Sequence, residues 1–580
     1  MESNERGIKN ACKTKNEMKH TRTKNEDSIL FISIAIIMML LFAKDVEAMT
    51  IDSKSMEFLL EENQDLATFS NRSYVILQQN NTGGINRLTQ EMMPLEDGVN
   101  TVYIVTHDFI IDGSVTIPKN SILRFEGGSI SGIKGRQNML IGNKTVIEAG
   151  LTQLFGGYLG VVGSWDNPDA YPEWFGAKGD GVTDDSQAIQ KTINAFDNVH
   201  FQNRTYIADN LIVEKASFFL KGEKNSTIKA KQGSDYILRI FVTYRKVGQR
   251  AISNLTFDCN NVSDNGLLLN CVQTKCENII VLNPKSNGIL ANNNGFTVGA
   301  PFELLLNNIF IENRSSLTSS YNGIGINLDC SDCTVKDYVS VNMHISAIIG
   351  GANVIDNIHP YCGSPIFENS VGIQVNGLGN TISNCYFDCV FKGVIASRTT
   401  VLTNCKFYIS EGLYKATNNS PVFITSLNDA IIYADHCYFE NANNRSNNPF
   451  ITNSSNVRLI NPLRHPSLFF TSDNIEDYIV SNDVKERRYR INCNNIELSS
   501  KRSVSVDYVV QGVRSNDFYT LVSLGSSLPD GIICNSYLGK DKITIKFYNT
   551  TDSKVLISNS YYLTIRRSLD NKILRYEVVE

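Results

Sequence analysis

The chain has 580 residues, 42% hydrophobic and 19% charged, with 54 Lys+Arg against 59 Asp+Glu and a formal net charge of −5. That is too apolar for a disordered chain and too evenly charged for a nucleic-acid binder that relies on a concentrated basic surface. The length suits roughly two to four ordinary domains or one elongated repeat. Asparagine is the informative count: there are 64, and 32 of them lie between residues 251 and 450. A polar, turn-forming residue this frequent in an apolar chain predicts many short strands joined by tight turns.

At the amino terminus, Ile29 to Ala43 form an unbroken apolar run between a Lys/Arg-bearing segment and Val46-Glu47-Ala48. The run is shorter than the about 20 residues a membrane span needs, and it suits a signal-peptide h-region cleaved before Met49. Residues 1–48 are therefore read as a signal peptide, with translation beginning at Met1 or Met18. This predicts a secreted, periplasmic or cell-surface protein with no stable membrane span after cleavage; an uncleaved anchor is the alternative. An exported chain with 13 cysteines would ordinarily form disulfides. However, Cys385, Cys405 and Cys437 recur in the similar segments SNCYFD, TNCKFY and DHCYFE, which predicts a buried ladder of reduced thiols acting as small hydrophobes. Cys330 and Cys333 lack a second pair at zinc spacing, so no metal site is assigned.

Residues 49–165 contain a β-rich stretch (TVYIVTHDFIIDGSVTIPKNSILRFEGGSISG) that reads as first rungs or a cap. Next comes FGAKGDGVTDD, a glycine-rich turn, and then SQAIQKTINAF, where Ala188, Ile189, Ile193 and Phe196 have helical spacing and Asp184 or Asp185 is placed to cap the helix. In such a turn Asp180, Asp184 and Asp185 satisfy free amides and the helix dipole, which is preferred to a catalytic role.

From residue 252 a pattern of apolar, any, Asn, apolar, any, apolar recurs. Its third position is Asn254, Asn278, Asn308, Asp337, Asn357, Asn384, Asn404 and His436, at intervals of 20 to 32 residues, the signature of a solenoid. The next residue and the one two further on are mostly apolar, so two-residue alternation makes them the inner face of a strand. This predicts a coil of parallel strands, one rung per repeat, with amides of the asparagine column bonded along the axis. Beyond about residue 466 the rhythm stops, and SVSVDYVV, KITIKFYN and YYLTIRR alternate as in an antiparallel sandwich.

FGAKGDGVTDDSQAIQ followed by NVHFQNRTYIA closely resembles the entry motif of the pectate-lyase-like superfamily, which includes rhamnogalacturonase-like proteins and many phage tail spikes. The resemblance covers about residues 165 to 465. It implies a right-handed parallel β-helix solenoid over 166–465; with the short N-terminal β-rich cap read over 49–165 and the C-terminal antiparallel β-sandwich-like domain read over 466–580, the expected fold is all-β. It also implies a polysaccharide partner and leaves room for an oligomer. A fold hosts many chemistries, so the activity has to be argued from the site.

Outward positions follow from the register. Two residues after the asparagine position come Thr256, Ile280, Phe310 and Val339, then His359, Tyr386, Lys406 and Tyr438; four residues after it come Asp258, Leu282, Glu312 and Val341, then Tyr361, Asp388, Tyr408 and Glu440. The last four rungs thus present aromatic, basic and acidic side chains, a combination suited to sugar rings. Rungs are about 4.8 Å apart, which puts Asp258 about 24 Å from Asp388, but Asp388 and Glu440 only about 10 Å apart, near the roughly 6.5–9.5 Å of inverting glycosidases. Hydrolysis through Asp388 and Glu440 is the first reading, with Tyr361, Tyr386, Tyr408 and Tyr438 as substrate contacts; solvated strand-end acids are the alternative.

The second reading is β-elimination on a uronic-acid glycan. His359 or Lys406 would be the base, Tyr386 or Tyr408 the proton donor and Arg398 the neutraliser of the substrate carboxylate. His359 could instead mark a bend beside Pro360. No cofactor is assigned, although a lyase could use a divalent cation such as calcium; Asp329 and Asp332 are thin ligands for one. The Asn-Thr-Asp and Gly-His-Gly motifs of polygalacturonases are missing from this sequence, and its Asp-Asp pair, Asp184-Asp185, lies in the glycine-rich turn. A non-catalytic glycan-binding or adhesive surface protein is the competing class.

Overall fold

The computed structural model describes residues 72–80, 84–242, 249–293, 301–315, 320–363, 368, 370–410, 421–441, 456–460, 463–464, 475–481, 484–492, 496–509, 528–539, 542–557 and 560–568. The apolar run at 29–43 lies outside them. Among the described residues no helix is long and apolar enough to cross a membrane.

Among the described residues, each turn of the coil from about residue 211 places one strand in a nine-stranded sheet and either one bent strand or two short strands in a 21-stranded sheet, and neighbouring rungs pair in parallel. This is a right-handed parallel β-helix. In the central rungs the first strand is continuous but bent, as in Arg250–Asp258, Lys275–Leu282, Leu305–Glu312, Thr334–Val341 and Val354–Tyr361. The bend falls on the predicted column: Asn254, Asn278, Asn308, Asp337, Asn357, Asn384, Asn404 and His436 all have φ between 51° and 56°. Asn, Asp and His are the non-glycine residues that enter the left-handed region most readily. The column therefore consists of the residue types that tolerate this bend.

Side-chain amides tie the bends together. Asn278 donates to Asn254 Oδ1 at 2.8 Å and Asn308 to Asn278 Oδ1 at 2.7 Å. Asp337 has no side-chain amide to donate, and it accepts from Asn357 at 2.6 Å. Asn384 leaves the column and donates to Asp356 Oδ1 at 2.7 Å, and Asn404 resumes it by donating to Asn384 Oδ1 at 2.8 Å.

The residue after each bend points inward. Leu255, Ile279, Ile309, Tyr338, Ile358, Cys385, Cys405 and Cys437 are each at most 1% exposed. The Cys405 thiol meets those of Cys385 and Cys437, and all eleven described cysteines are free, as the repeated SNCYFD-type segments predict. Two residues further in, Phe387 and Phe407 stack at 4.5 Å and Phe407 and Phe439 at 5.2 Å. The opposite sheet makes room for these rings with glycines: a Cβ on Gly372 would come within 2.5 Å of Phe387, and one on Gly393 within 2.6 Å of Phe407.

Upstream, Ser73–Ile76, Thr101–Val105, Ile122–Phe125 and Asn138–Glu148 also pair in parallel, so this stretch is itself coiled. One buried core runs from Leu77 to Val457. The helix forms as Ser186–Ala195 and buries Ala188, Ile189 and Ile193. Asp184 Oδ1 accepts the Ser186 amide at 3.0 Å, whereas Asp185 reaches back to the amides of Lys178 and Gly179, at 2.7 and 3.1 Å. Asp180 accepts the amides of Val182 and Thr183, which hold its carboxyl down at about 2. All three aspartates thus organise the turn. At the carboxyl end, Ile475–Ser481, Val484–Asn492 and Ser560–Ser568 add antiparallel strands to the long sheet, and Ser503–Val509, Lys542–Asn549 and Ile532–Gly539 form a separate antiparallel sheet.

The bend makes a graded prediction at Asn278. Alanine there gives up a residue suited to left-handed backbone, at about 1–2 kcal/mol, together with the ladder bonds, at about 1 kcal/mol. Glycine gives up only the ladder. Denaturant midpoints should fall in the order wild type, Asn278→Gly, Asn278→Ala; an alanine variant as stable as wild type would show that the column bears no such strain.

Candidate functional site

The predicted rows are present. Tyr361 pairs with Asp388, Asp388 with Tyr408 and Tyr408 with Glu440, while Tyr386 pairs with Lys406 and Lys406 with Tyr438. Strand alternation leaves these side chains half-buried to exposed above the buried Phe387, Phe407 and Phe439. His359 belongs to the same surface. The strand Val354–Tyr361 bends at Asn357 and continues through Pro360, so Pro360 does not mark the bend.

Diagonal contacts join the rows. His359 Nε2 lies 3.4 Å from Asp388 Oδ2, one rung up and two residues further along its strand, and Lys406 Nζ lies 3.5 Å from Glu440 Oε2 in the same relation. The His359 ring stacks on Tyr386, with centroids 4.8 Å apart. Lys406 Nζ sits 4.8, 5.8 and 5.7 Å from the ring centroids of Tyr386, Tyr408 and Tyr438, within cation–π range. One surface therefore carries an imidazole on a carboxylate, an ammonium among three phenols and a second carboxylate.

Burial pushes the Asp388 carboxyl up, but hydrogen bonds from His359 and Cys389 and the charges of His359 and Lys406 outweigh it, leaving Asp388 below its ordinary value. The Tyr386 phenol is pushed up to about 12, by burial first and then by the nearby Asp388. Burial likewise raises Tyr361 and Tyr408.

Residues 173–388 match a family model described as rhamnogalacturonase A/epimerase, pectate lyase-like. Over this part of the β-helix the chain is similar to the pectate-lyase-like family. Among solved structures it is similar to the tailspike protein of E. coli bacteriophage HK620 in complex with pentasaccharide, at 7% identity over 87% of this chain and 94% of that one, TM-score 0.40. It is also similar to ORF18 of Geobacillus virus E2, at 14% identity over 71% and 80%, TM-score 0.39. The tailspike protein gp49 of Pseudomonas phage LKA1 matches at 11% identity over 69% and 99%, TM-score 0.35. No curated protein is similar to the chain by sequence.

On the later rungs of the coil the structure brings together His359, Tyr361, Tyr386, Asp388, Lys406, Tyr408, Tyr438 and Glu440. Arg398 stands apart: it lies in the turn between Lys392–Ala396 and Thr400–Thr403, before the bend at Asn404, and its guanidinium Nη1 donates to Ser397 O at 3.3 Å. Among the described residues no group of three or more His, Cys, Asp or Glu side chains is placed to hold a metal, and Asp388 and Glu440 each already face a basic side chain. The strip therefore does not fit a calcium ion.

The sequence reading missed the diagonal pairs, although column spacing combined with a two-residue offset yields both of them. It also missed a second cluster on the first rungs. There His200 Nδ1 is 3.4 Å from Asp169 Oδ2, His200 Nε2 is 3.9 Å from Glu223 Oε1, and Lys221 Nζ is 2.6 Å from Asp169 Oδ1. This cluster precedes the asparagine column, so no repeat marks it.

A carboxyl group held below its ordinary value stabilises the fold above the unfolded pKa of about 3.9, and that stability is lost as pH falls through the folded value. Asp388→Asn should therefore be less stable than wild type near neutral pH, and the gap should close below about pH 4. A gap that stays constant down to pH 2 would contradict the ionised Asp388.

Proposed function

We propose that this protein binds and cleaves a uronic-acid-bearing polysaccharide on the strip from His359 to Glu440, and does so by β-elimination. The observation that carries this reading is the His359–Asp388 pair stacked on Tyr386 beside the Lys406 ammonium. With Nε2–H donated to Asp388, the His359 Nδ1 lone pair is free to accept a proton. It would take the proton on C5 of a uronate ring. The C4–C5 double bond forms, the C4–O glycosidic bond breaks, and the leaving oxygen receives a proton from the Tyr386 phenol, which is fully protonated at neutral pH. Lys406, rather than Arg398 or a metal ion, lies where it can pair with the substrate carboxylate and stabilise the charge that spreads from C5 onto it. The exposed Tyr361 and the half-buried Tyr408 and Tyr438 supply faces for neighbouring sugar rings.

Hydrolysis by Asp388 and Glu440 remains the second reading, favoured by their placement on one column two rungs apart. It is less well supported because a general acid must carry a proton, whereas Asp388 is held below its ordinary value, which leaves Glu440 alone for that role. Export through the apolar segment at 29–43 fits an extracellular glycan, and amino-terminal sequencing of the protein recovered from its producing cell checks that.

A panel of uronic and neutral polysaccharides tests the chemistry. Elimination raises both reducing ends and unsaturated-uronate absorbance, and His359→Gln should slow it by about 10²–10⁴-fold. Reducing ends without absorbance, lost in Asp388→Asn or Glu440→Gln, would establish hydrolysis instead. Binding without cleavage of any polymer would leave a glycan-binding surface protein.

A further inference from the structure

A cleft of about 540 Å³ opens at another corner of the coil, far from the strip. It is walled by the end of strand Leu159–Trp165, the last turn of helix Ser186–Ala195 and the segment after strand Leu211–Val213. In the nine-stranded sheet, Leu211–Val213 lies five strands before Ile345–Ile349, the strand that leads into the first rung of the strip, or about 24 Å along the axis at about 4.8 Å per strand. One sugar ring cannot occupy both places.

The cleft has one aromatic wall and a polar rim. Trp165 is half-buried and its Nε1–H is already donated to Val162 O at 3.0 Å, so the indole offers ring surface rather than a donor. Phe196 supports it at a centroid distance of 5.5 Å. On the rim, Lys215 is bound to Asp197 at 2.9 Å. Asn194 Oδ1 is taken by Gln190 Nε2 at 2.8 Å, which leaves the Asn194 amide N–H groups as donors. Asp166 and Glu214 are exposed carboxylates on the same lining. Three acids against one lysine, itself paired, disfavour an anionic ligand, whereas carboxylate acceptors and an amide donor beside a ring suit the hydroxyls and apolar face of an uncharged sugar.

We propose that this cleft is a second saccharide site that takes an uncharged sugar unit, with its ring against Trp165 and its hydroxyls on Asp166, Asn194 and Glu214. Its preference is opposite to that of the strip, where Lys406 favours a uronate. The protein thus has separate places for the charged and the neutral parts of a mixed polymer.

The protein contains two tryptophans, and Trp174 is only 2% exposed, so the emission of the full-length chain reports on Trp165 when short oligosaccharides are added. A saturable change is expected with a neutral hexose or N-acetylhexosamine oligomer, unaltered in His359→Gln. It should weaken by about tenfold or more in Glu214→Ala and in Asp166→Ala, with unfolding midpoints close to wild type. Persistence of the response in His359→Gln keeps this result separate from the fate of the elimination reading. The proposal is overturned if no neutral oligomer gives a saturable change, if both alanine variants respond like wild type, or if oligogalacturonates respond equally well.

Discussion

From Asn254 onward the coil depends on a left-handed residue at the bend of each rung. With φ near 55° at Asn254, Asn278, Asn308 and their successors, the chain turns sharply and the parallel pairing resumes in register beyond the bend. The residue after the bend always faces the core and the one after that always faces out. Because these bends stack, a single choice of register fixes the inner and outer faces of every rung. The chemistry of the column reflects two demands at once: tolerance of positive φ, and an amide able to donate to the rung below. Asp337 meets the first demand but cannot meet the second, and the ladder is interrupted below it.

That register builds the strip. Inward, the rungs carry thiols and stacked phenylalanines, for which glycines across the coil leave space. Outward, the same rungs carry a repeating diagonal: the basic side chain at one level meets the acid one level up and two residues on. His359–Asp388 and Lys406–Glu440 are two instances of this relation. Such pairs on an open surface contribute modestly to stability. Their consequence is orientation, since the imidazole is held by one nitrogen, the ammonium is centred among phenols, and both face the same strip as the tyrosine rings.

Much of this was legible in the sequence. The asparagine column, the inward thiols, the outward rows and the structural role of Asp180, Asp184 and Asp185 all follow from period and alternation, which are local properties that a solenoid converts directly into three-dimensional neighbours. Features set by the shape of the cross-section were not legible. Arg398 looked available because it precedes Lys406 in the chain, but the turn and the bend at Asn404 place it before another stretch of sheet. The groups around His200 and Trp165 come from segments without a repeat, brought together by the helix and the first turns of the coil. Pro360 looked like a breaker, yet it sits inward on a strand that runs on to Tyr361.

The central claim is that the outward strip on the last rungs, placed by the asparagine register, is where a uronic glycan is held. A crystal structure of the His359→Gln protein soaked with a uronate oligosaccharide tests it directly. The account predicts sugar density along Tyr361, Tyr386, Lys406 and Tyr438, with a carboxylate on Lys406. Density confined to any other face, or a carboxylate bound away from Lys406, would contradict it.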